Sequence, residues 1–472
     1  MSATALIEPL RETVGAGWLV GGAVRDRLLG RPTTDFDVAL PDDPGPFARR
    51  LARSLDAHPF KLSDGFGGWR VVARDHSWQI DLLPLTGETI EADLGQRDLT
   101  VNALAEPLGG GSLIDPFGGV ADLEARRLRM VSSGAFAADP LRTMRLVRLA
   151  GELEFEPEAD TVRAAAASAP ALRAVSPERI FVELRLIVRS DRAIEGLALM
   201  DAVGATDAVL PELARLRGIE QSKYHHLDVH DHTRAVLAET IAIERDPAEP
   251  FGELGEAVGA VLDEPLANEL TRGEALRFGA LFHDVAKPTT RGVTPEGRVT
   301  FMGHDATGAE MAAAALRRLR ASERLADYVA ALTRHHLRLG FMVHRVPLSR
   351  RAVYEYLKAC DPVQVDVTVL SVADRLATRG SGSQEAIARH LELARVLVAE
   401  ALAWRADPPR PPIRGDKLAT ALGVKPGPEI GRLLSELEEA SFAGEIDGPQ
   451  QAIERARELL GTAHRGTTSA DR

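Results

Sequence analysis

Asp35 and Asp37 stand two residues apart in the run Asp35-Phe36-Asp37, shortly after the glycine pair Gly21-Gly22. A strand turns alternate side chains to opposite faces, so both carboxylates share one face. Neighbouring carboxylates repel unless a cation sits between them. Two divalent ions about 3.5–4 Å apart would clamp the attacking and the leaving oxygen of a phosphoryl transfer. The upstream run Leu19-Val20-Gly21-Gly22-Ala23-Val24-Arg25-Asp26 reads as a strand, a glycine turn and a helix start. Glycine lets the backbone turn sharply and lets a ligand approach its N–H groups. A helix N-terminus attracts phosphate, and Arg25, one turn in, offers a charged fork to phosphate oxygens. Gly-Gly turns and Asp-x-Asp edges are each common structural features. Together, in this order, they point to a nucleoside triphosphate and its metal ions.

A second set is rich in histidine: His232, His283-Asp284, His304, His335-His336 and Asp374. Its core is Leu281-Phe282-His283-Asp284-Val285-Ala286-Lys287-Pro288. Imidazole and carboxylate ligands carried on several helices can converge on a hard or borderline divalent ion. An ion held there would act as a Lewis acid. Lys287 either assists phosphate binding or is a solvated helix end. His225, His226 and His230 crowd the entry to the first helix of this region and receive no role.

Between the two sets lie Arg97-Asp98-Leu99-Thr100-Val101-Asn102-Ala103-Leu104 and Asp115-Pro116-Phe117-Gly118-Gly119. After them comes Asp139-Pro140-Leu141-Arg142-Thr143-Met144-Arg145-Leu146-Val147-Arg148. With these motifs in this order, the chain resembles the class II tRNA nucleotidyltransferases, the bacterial family of CCA-adding enzymes and their poly(A) polymerase relatives. The resemblance runs from about residue 15 to 200 in motif order and extends through the His-rich region and the tail. It implies an α+β fold: a small mixed-sheet, polymerase-beta-like head, then an elongated all-α neck, an HD domain and a helical tail. It implies that Gly22 and Arg25 bind the triphosphate, and that Asp35 and Asp37 are catalytic and bind Mg2+. Arg97, Asp98 and Asn102 would lie near the sugar of the incoming nucleotide. Asp139 and Arg142 would pair with the edge of its base in place of a nucleic-acid template. The His-rich set resembles the HD phosphohydrolase superfamily. There His232, His283, Asp284 and Asp374 would form the basic metal site, with His304, His335 and His336 as additional ligands. The divalent metal of that site is not specified.

The chemistry of the base-reading pair agrees with that role. Asp139 and Arg142 are three apart at a helix start, so both can lie on one helix face. A carboxylate accepts from an amino group, and a guanidinium donates to a ring nitrogen or carbonyl. A wrong base would be left with unmet hydrogen bonds, which discriminates strongly in a buried site. Arg145 and Arg148 continue the stripe toward nucleotide phosphates or RNA, with ordinary helix-surface ion pairing as the alternative. Two positions depart from the family pattern: Ala138 stands where Glu is usual, and Gln96 where a second Arg is frequent. Asp81, in Gln79-Ile80-Asp81-Leu82-Leu83, reads equally as a third carboxylate or as a hydrogen-bonded strand residue.

The elements that must position these groups follow from the patterning. Strand patterns fall at Trp18–Gly21, Phe36–Leu40, Gly68–Ala73, Trp78–Leu83 and Leu113–Ile114. The recurrence of Leu141, Met144 and Val147, broadened by Leu146 and Leu149, marks a helix. Residues 125–192 hold twelve Arg, no Lys and nine acidic residues, which suits a local cationic surface or a salt-bridged helical neck. Asp246–Thr271 reads as an acidic, Gly-containing insertion or loop. Arg405–Arg414, with four prolines, reads as a linker, and His464–Arg472 as disordered. The expected domains are a head at 1–134, a neck at 135–215, an HD domain at 220–404 and a tail at 415–463.

Composition sets outer bounds. The 472 residues carry a net charge of −12, which argues against a broad basic surface but not a local one. No DNA partner is expected. No apolar run is long enough for a bilayer, so no membrane partner is expected either. Cys360 is the only cysteine, which rules out disulfides within the chain and, without a signal-peptide pattern, fits a cytoplasmic location. The expected function is addition of CCA, or part of it, to tRNA 3′ ends from CTP and ATP. A poly(A) polymerase on the same scaffold is the first alternative. The second is an HD phosphohydrolase with a nucleotide-sensing head. The sequence sets no oligomeric state.

Overall fold

The computed structural model describes residues 3–62, 67–221, 227–378 and 383–467. The chain divides into two compact units, Met1–Leu210 and Pro211–Arg472.

In the first unit, six strands form one mixed sheet: β1 (Trp18–Val20), β2 (Asp35–Leu40), β3 (His58–Lys61), β4 (Trp69–Val72), β5 (Gln79–Pro84) and β6 (Ala105–Pro107), in the order β3-β4-β5-β2-β1-β6. Strands β2 and β5 pair in parallel, with Asp35 opposite Gln79 and Asp37 opposite Asp81. The other pairings are antiparallel. Phe36, Val38 and Leu40 of β2 are buried together with Ile80 and Leu82 of β5. That alternation leaves Asp35 and Asp37 on the opposite face. The edge strands β3 and β6 were not expected. They are short and only partly apolar, so neither carries a clear two-residue alternation. The expected strand at Leu113–Ile114 is a single bridge, Ile114 to Ala105.

Past the sheet the first unit is helical. The helix Arg142–Leu153 buries Met144, Leu146, Val147 and Leu149, the stripe read from the sequence. It packs on the helices Pro177–Arg189 and Ala193–Ala202.

The second unit is a helical body. Val229–Arg245, Arg272–Phe282, His304–Arg318, Glu323–His335 and Gln364–Ala377 pack against one another. Thr271 and Glu274 form a reciprocal capping box at the start of Arg272–Phe282. That helix is buried on every side, so its Arg272 needs a partner. Arg272 Nε donates to Asp366 Oδ1 at 3.0 Å, and Tyr328 OH donates to the same oxygen at 2.7 Å.

Asp246–Thr271 is not a loop. It holds the helices Ala248–Phe251 and Gly255–Leu262 and a hairpin of Pro265–Ala267 with Leu270–Thr271. Val258, Val261, Leu262, Leu266 and Leu270 are buried, while the acidic residues that suggested a loop lie largely on the outside. The last three helices, Gly415–Leu422, Pro428–Phe442 and Gly448–Thr467, close on Leu418, Leu433, Leu437 and Ala456. The final helix extends through His464 to Thr467, where disorder was expected; 468–472 lie outside the described residues. No described helix is long and apolar enough to cross a membrane.

Candidate functional site

One cleft of about 740 Å³ in the first unit is lined by Gly22, Arg25, Asp35, Asp37, Arg97, Asp139, Arg142, Arg145 and Arg148 among others. All nine residues proposed for the nucleotide and its metal are therefore brought to one volume. Gly21 caps the helix Gly22–Leu28 with φ +72°. A Cβ there would lie 2.6 Å from the Arg97 guanidinium, so glycine is required for both conformation and space.

Asp35 is exposed and accepts from Gln79 Nε2 at 2.9 Å. Asp37 is more enclosed. Burial, with Asp35 and Asp81 as repelling neighbours, pushes its carboxyl up to about 6 against the pull of Arg97 and Arg145. A carboxylate so destabilised fits a bound cation, because a cation removes both penalties. Asp81 lies beside Asp37 across the strands, but Arg70 grips it through two hydrogen bonds of 2.6 and 2.7 Å. Its hydrogen-bonding capacity in this structure is directed to Arg70.

Arg25 is buried, and its donors are taken within the protein. Nε and Nη2 donate to Asp26 at 2.9 and 3.0 Å, and Nη1 to Asn102 Oδ1 at 2.6 Å. Asn102 Nδ2 in turn donates to Asp98 Oδ1 at 3.0 Å, and Arg145 Nε to Asp98 Oδ2 at 2.8 Å. Burial alone would raise the Asp98 carboxyl, but Arg145, Asn102 and the Leu99 N–H hold it well below the usual carboxylate range. This stabilisation is present above about pH 4, the ordinary carboxylate value, and is lost as pH falls further. Arg145→Ala is expected to cost about 2–4 kcal/mol. It strands a buried charge, but Arg145 is itself 37% exposed. Thermal unfolding at pH 7 checks the loss. Asp98→Asn should flatten the acid limb of the stability profile below pH 4.

The base-reading pair sits differently from the helix-face expectation. Asp139 is extended (φ −145°, ψ 102°) and the helix begins only at Arg142. Pro140 excludes the α region for the residue before it. Asp139 Oδ2 accepts from Arg179 Nη2 at 2.7 Å, and Oδ1 from the Leu141 N–H at 3.2 Å. Arg142 Nη1 donates to the carbonyls of Arg97 (3.2 Å) and Ala135 (3.0 Å), and Nη2 to that of Gln96 (2.5 Å). Gln96 enters this contact through its main chain. Arg148 pairs with Glu183 at 2.7 Å and Glu152 at 2.6 Å. Arg145 and Arg148 thus line the cleft while engaged in ion pairs. Arg179 and Glu183 are site residues that sequence reading missed. Their signal was weak, because the Arg-rich segment supplied many equivalent candidates.

In the second unit, six of the seven residues named for the His-rich set converge. His232, His283 and Asp374 form one group able to hold a metal ion, and Asp284, His304 and His336 form another. Asp284 lies between them. Its Oδ2 is 3.1 Å from His283 Nε2 and 3.8 Å from His232 Nε2. Its Oδ1 is 3.3 Å from His304 Nε2 and 3.8 Å from His336 Nε2. His232 Nε2 reaches Asp374 Oδ1 at 3.0 Å. His335 stands apart: its Nδ1 accepts from Arg338 Nε at 2.9 Å. His336 is buried and faces the cluster, while His335 turns to Arg338.

The donor set suits a cation. His283, His304 and His336 each direct Nδ1 to the carbonyl three residues back, Ala280 (2.8 Å), Phe301 (2.7 Å) and Thr333 (2.6 Å). A carbonyl only accepts, so Nδ1 carries the proton, and a neutral ring presents the Nε2 lone pair to the cluster. The Nε2 atoms of these three rings and Asp284 Oδ2 are buried without a hydrogen-bond partner among the described residues. Lys287 Nζ stands 2.6 Å from Asp284 Oδ2 as an ion pair out of hydrogen-bond alignment, and donates to Gln221 Oε1 at 2.6 Å. Lys287 is buried, not a solvated helix end. Burial pushes His336 down to about 4, keeping it neutral. Burial lowers His283 too, but Asp284 and Asp374 outweigh it and hold that ring above the usual imidazole value. His225 and His226 lie outside the described residues.

Three family profiles match: "Poly A polymerase head domain" over residues 17–129, "Probable RNA and SrmB- binding site of polymerase A" over 154–216, and "HD domain" over 230–379. Among solved structures, the chain is similar to a CCA-adding enzyme in apo form (TM-score 0.63, 19% identity, covering 97% of this chain and 93% of that one). It is also similar to the Thermotoga maritima CCA-adding enzyme complexed with tRNA (TM-score 0.60, 20% identity, 98% and 99% covered). These likenesses show the mixed α+β fold. Curated relatives include an A-adding tRNA nucleotidyltransferase of Deinococcus radiodurans, 36% identical over 442 residues, covering 92% of this chain and 93% of the relative. A CC-adding tRNA nucleotidyltransferase of Thermus thermophilus is 35% identical over 441 residues, covering 92% and 91%. With identity of this level along nearly the whole of both chains, and the head, RNA-binding and HD segments in the same order, this chain belongs to the tRNA nucleotidyltransferase family.

Proposed function

We propose that the chain adds C, A or both to build the CCA end of tRNA, taking CTP and ATP without a nucleic-acid template. One observation carries the reading: Asp35 and Asp37 share a single cleft with Asp139 and Arg142. A metal-holding pair and a base-reading pair thus address one volume of a size suited to a small-molecule ligand. Held by Asp35 and Asp37, Mg2+ supplies Lewis acidity to the reacting phosphate. The tRNA 3′-hydroxyl attacks the α-phosphate and pyrophosphate leaves. The chain's own task is positioning and charge stabilisation. Gly22 opens a helix toward the triphosphate. Arg97, whose Nε is buried without a partner among the described residues, gives a fixed positive charge beside Asp37. Three of the five N–H donors of Arg142 go to carbonyls. Nε–H and one Nη2–H are left for the base. The amino group of cytosine or adenine takes the place of Arg179 on Asp139.

The curated relatives with A-adding and CC-adding names are nearly equally similar, so likeness does not choose between C and A. Both are named as tRNA nucleotidyltransferases, which favours this reading over a poly(A) polymerase. The test is incorporation of CTP and ATP on tRNAs ending before, within and after CCA. Addition that stops at CCA, or at CC, supports it. Unlimited ATP-only tailing overturns it. A cytoplasmic location accords with these substrates and with the lone Cys360.

A second activity is favoured by the four partnerless buried atoms of the His-rich cluster: hydrolysis of a phosphate ester at a divalent centre. His232, His283 and Asp374 would hold one ion, His304 and His336 a second, with Asp284 between them. His335 has no part in it. A metal bound there activates water toward phosphate. Asp35 and Asp37 are both present in the nucleotide cleft, which disfavours the reading of the head as a sensor alone.

A further inference from the structure

We propose that the cavity beside the histidine cluster contains a second anion subsite, built by Arg375 and Arg389 over the Ser371–His390 pair, so that its ligands are phosphate esters bearing a second anionic group. The seat of the first phosphate rests on the phosphohydrolase reading above; the subsite rests on its own residues.

A cavity of about 820 Å³ reaches from Asp284, His304 and His336 to Arg375, Arg389 and His390. The cluster occupies one end of it, and the other end is cationic. Arg375 follows Asp374 on the helix Gln364–Ala377, yet its Nε is buried with no hydrogen-bond partner among the described residues. Folded proteins rarely leave a buried donor unmet, and a ligand is one ordinary reason for it. Arg389 stands on the helix Ser383–Ala406, and its charge acts on Arg375. Neither arginine makes an ion pair among the described residues, although Asp284, Asp305 and Asp374 also line the cavity and Asp374 acts on Arg375 from the neighbouring position. Two guanidiniums that face one cavity without a hydrogen-bonded acid partner offer their donors together to an incoming anion. The guanidinium fork suits phosphate and carboxylate alike and does not ligate metal. His390 and Ser371 are buried, and His390 Nε2 lies 3.2 Å from Ser371 Oγ. That pair fixes the floor under the arginines.

The test uses the full chain loaded with Mn2+ and two non-nucleotide probes, propyl phosphate and propane-1,3-diyl bisphosphate, titrated calorimetrically. The wild type is expected to bind the bisphosphate at least about tenfold more tightly than the monophosphate. Arg375→Gln and Arg389→Gln should each bring that ratio toward one, with bound metal and propyl phosphate affinity unchanged. Arg375→Lys should restore part of it. A wild type without preference, or variants that keep it when Asp35 and Asp37 are also replaced by Asn so that the head cannot hold Mn2+, overturns the subsite. Hydrolysis of p-nitrophenyl phosphate by the wild type reads the phosphohydrolase assignment separately. No hydrolysis with the bisphosphate preference intact refutes that assignment and leaves the subsite standing.

Discussion

Asp35→Asn combined with Asp37→Asn is expected to lower nucleotide addition by on the order of 10⁴-fold while the melting temperature stays level or rises. The two halves of this result have separate causes. Lewis-acid assistance at a reacting phosphate is worth several kcal/mol, and each 1.4 kcal/mol is a factor of ten in rate. Asparagine keeps the shape and can still accept from Gln79, which donates to Asp35 at 2.9 Å. It removes the buried charge and the repulsion that together hold the Asp37 carboxyl up to about 6, so the metal-free fold loses nothing. The checks are single-turnover incorporation and thermal unfolding in chelator. Retention of a tenth of the activity would sink the assignment of these carboxylates. A large fall in melting temperature would mean that they serve the fold.

The second large effect lies in the other unit. Asp284→Asn should weaken divalent binding at the His-rich centre by about a hundredfold or more and abolish any phosphatase activity there, while nucleotide addition by the head persists. Asp284 lies within 4 Å of two histidine nitrogens of each group. Amide substitution halves its capacity to bridge and removes its charge, and even residues behind metal ligands alter affinity by 10–100-fold. Lys287, buried and 2.6 Å from Asp284, loses its ionic partner. An unpaired buried charge costs about 3–5 kcal/mol, so the second unit should also melt earlier without metal. Metal content after dialysis decides the matter, and an unchanged stoichiometry excludes Asp284 as a ligand.

Much of the head was legible because period-two alternation puts Asp35 and Asp37 opposite Phe36 and Val38, a statement that needs only local geometry. The stripe Met144–Leu149 was legible for the same reason at helical period. The contacts of Arg142 with Gln96 and Arg97, 46 and 45 positions away, were not legible, because hydrophobic periodicity says nothing about which carbonyl a long side chain will reach. Arg25 shows the same limit. Its place in the cleft followed from spacing, while the competition of Asp26 and Asn102 for its donors did not. The separation of His335 from His336 was not legible, since the equally adjacent His283 and Asp284 do converge on one centre. The loop reading of Asp246–Thr271 failed because composition was read without phase: its acidic residues and its buried valines and leucines take opposite faces of its helices and hairpin.

The three histidines whose Nδ1 atoms bond to carbonyls three residues back carry a last consequence. In many metal sites the ring is oriented by a carboxylate that mutation can delete. Here the orienting oxygens belong to the main chain and are present whatever side chain occupies Ala280, Phe301 or Thr333. The centre therefore has mutational robustness built into its support. Substitutions around it that preserve the backbone should be silent for ring orientation, and drift can dismantle the site chiefly by replacing the ligands themselves.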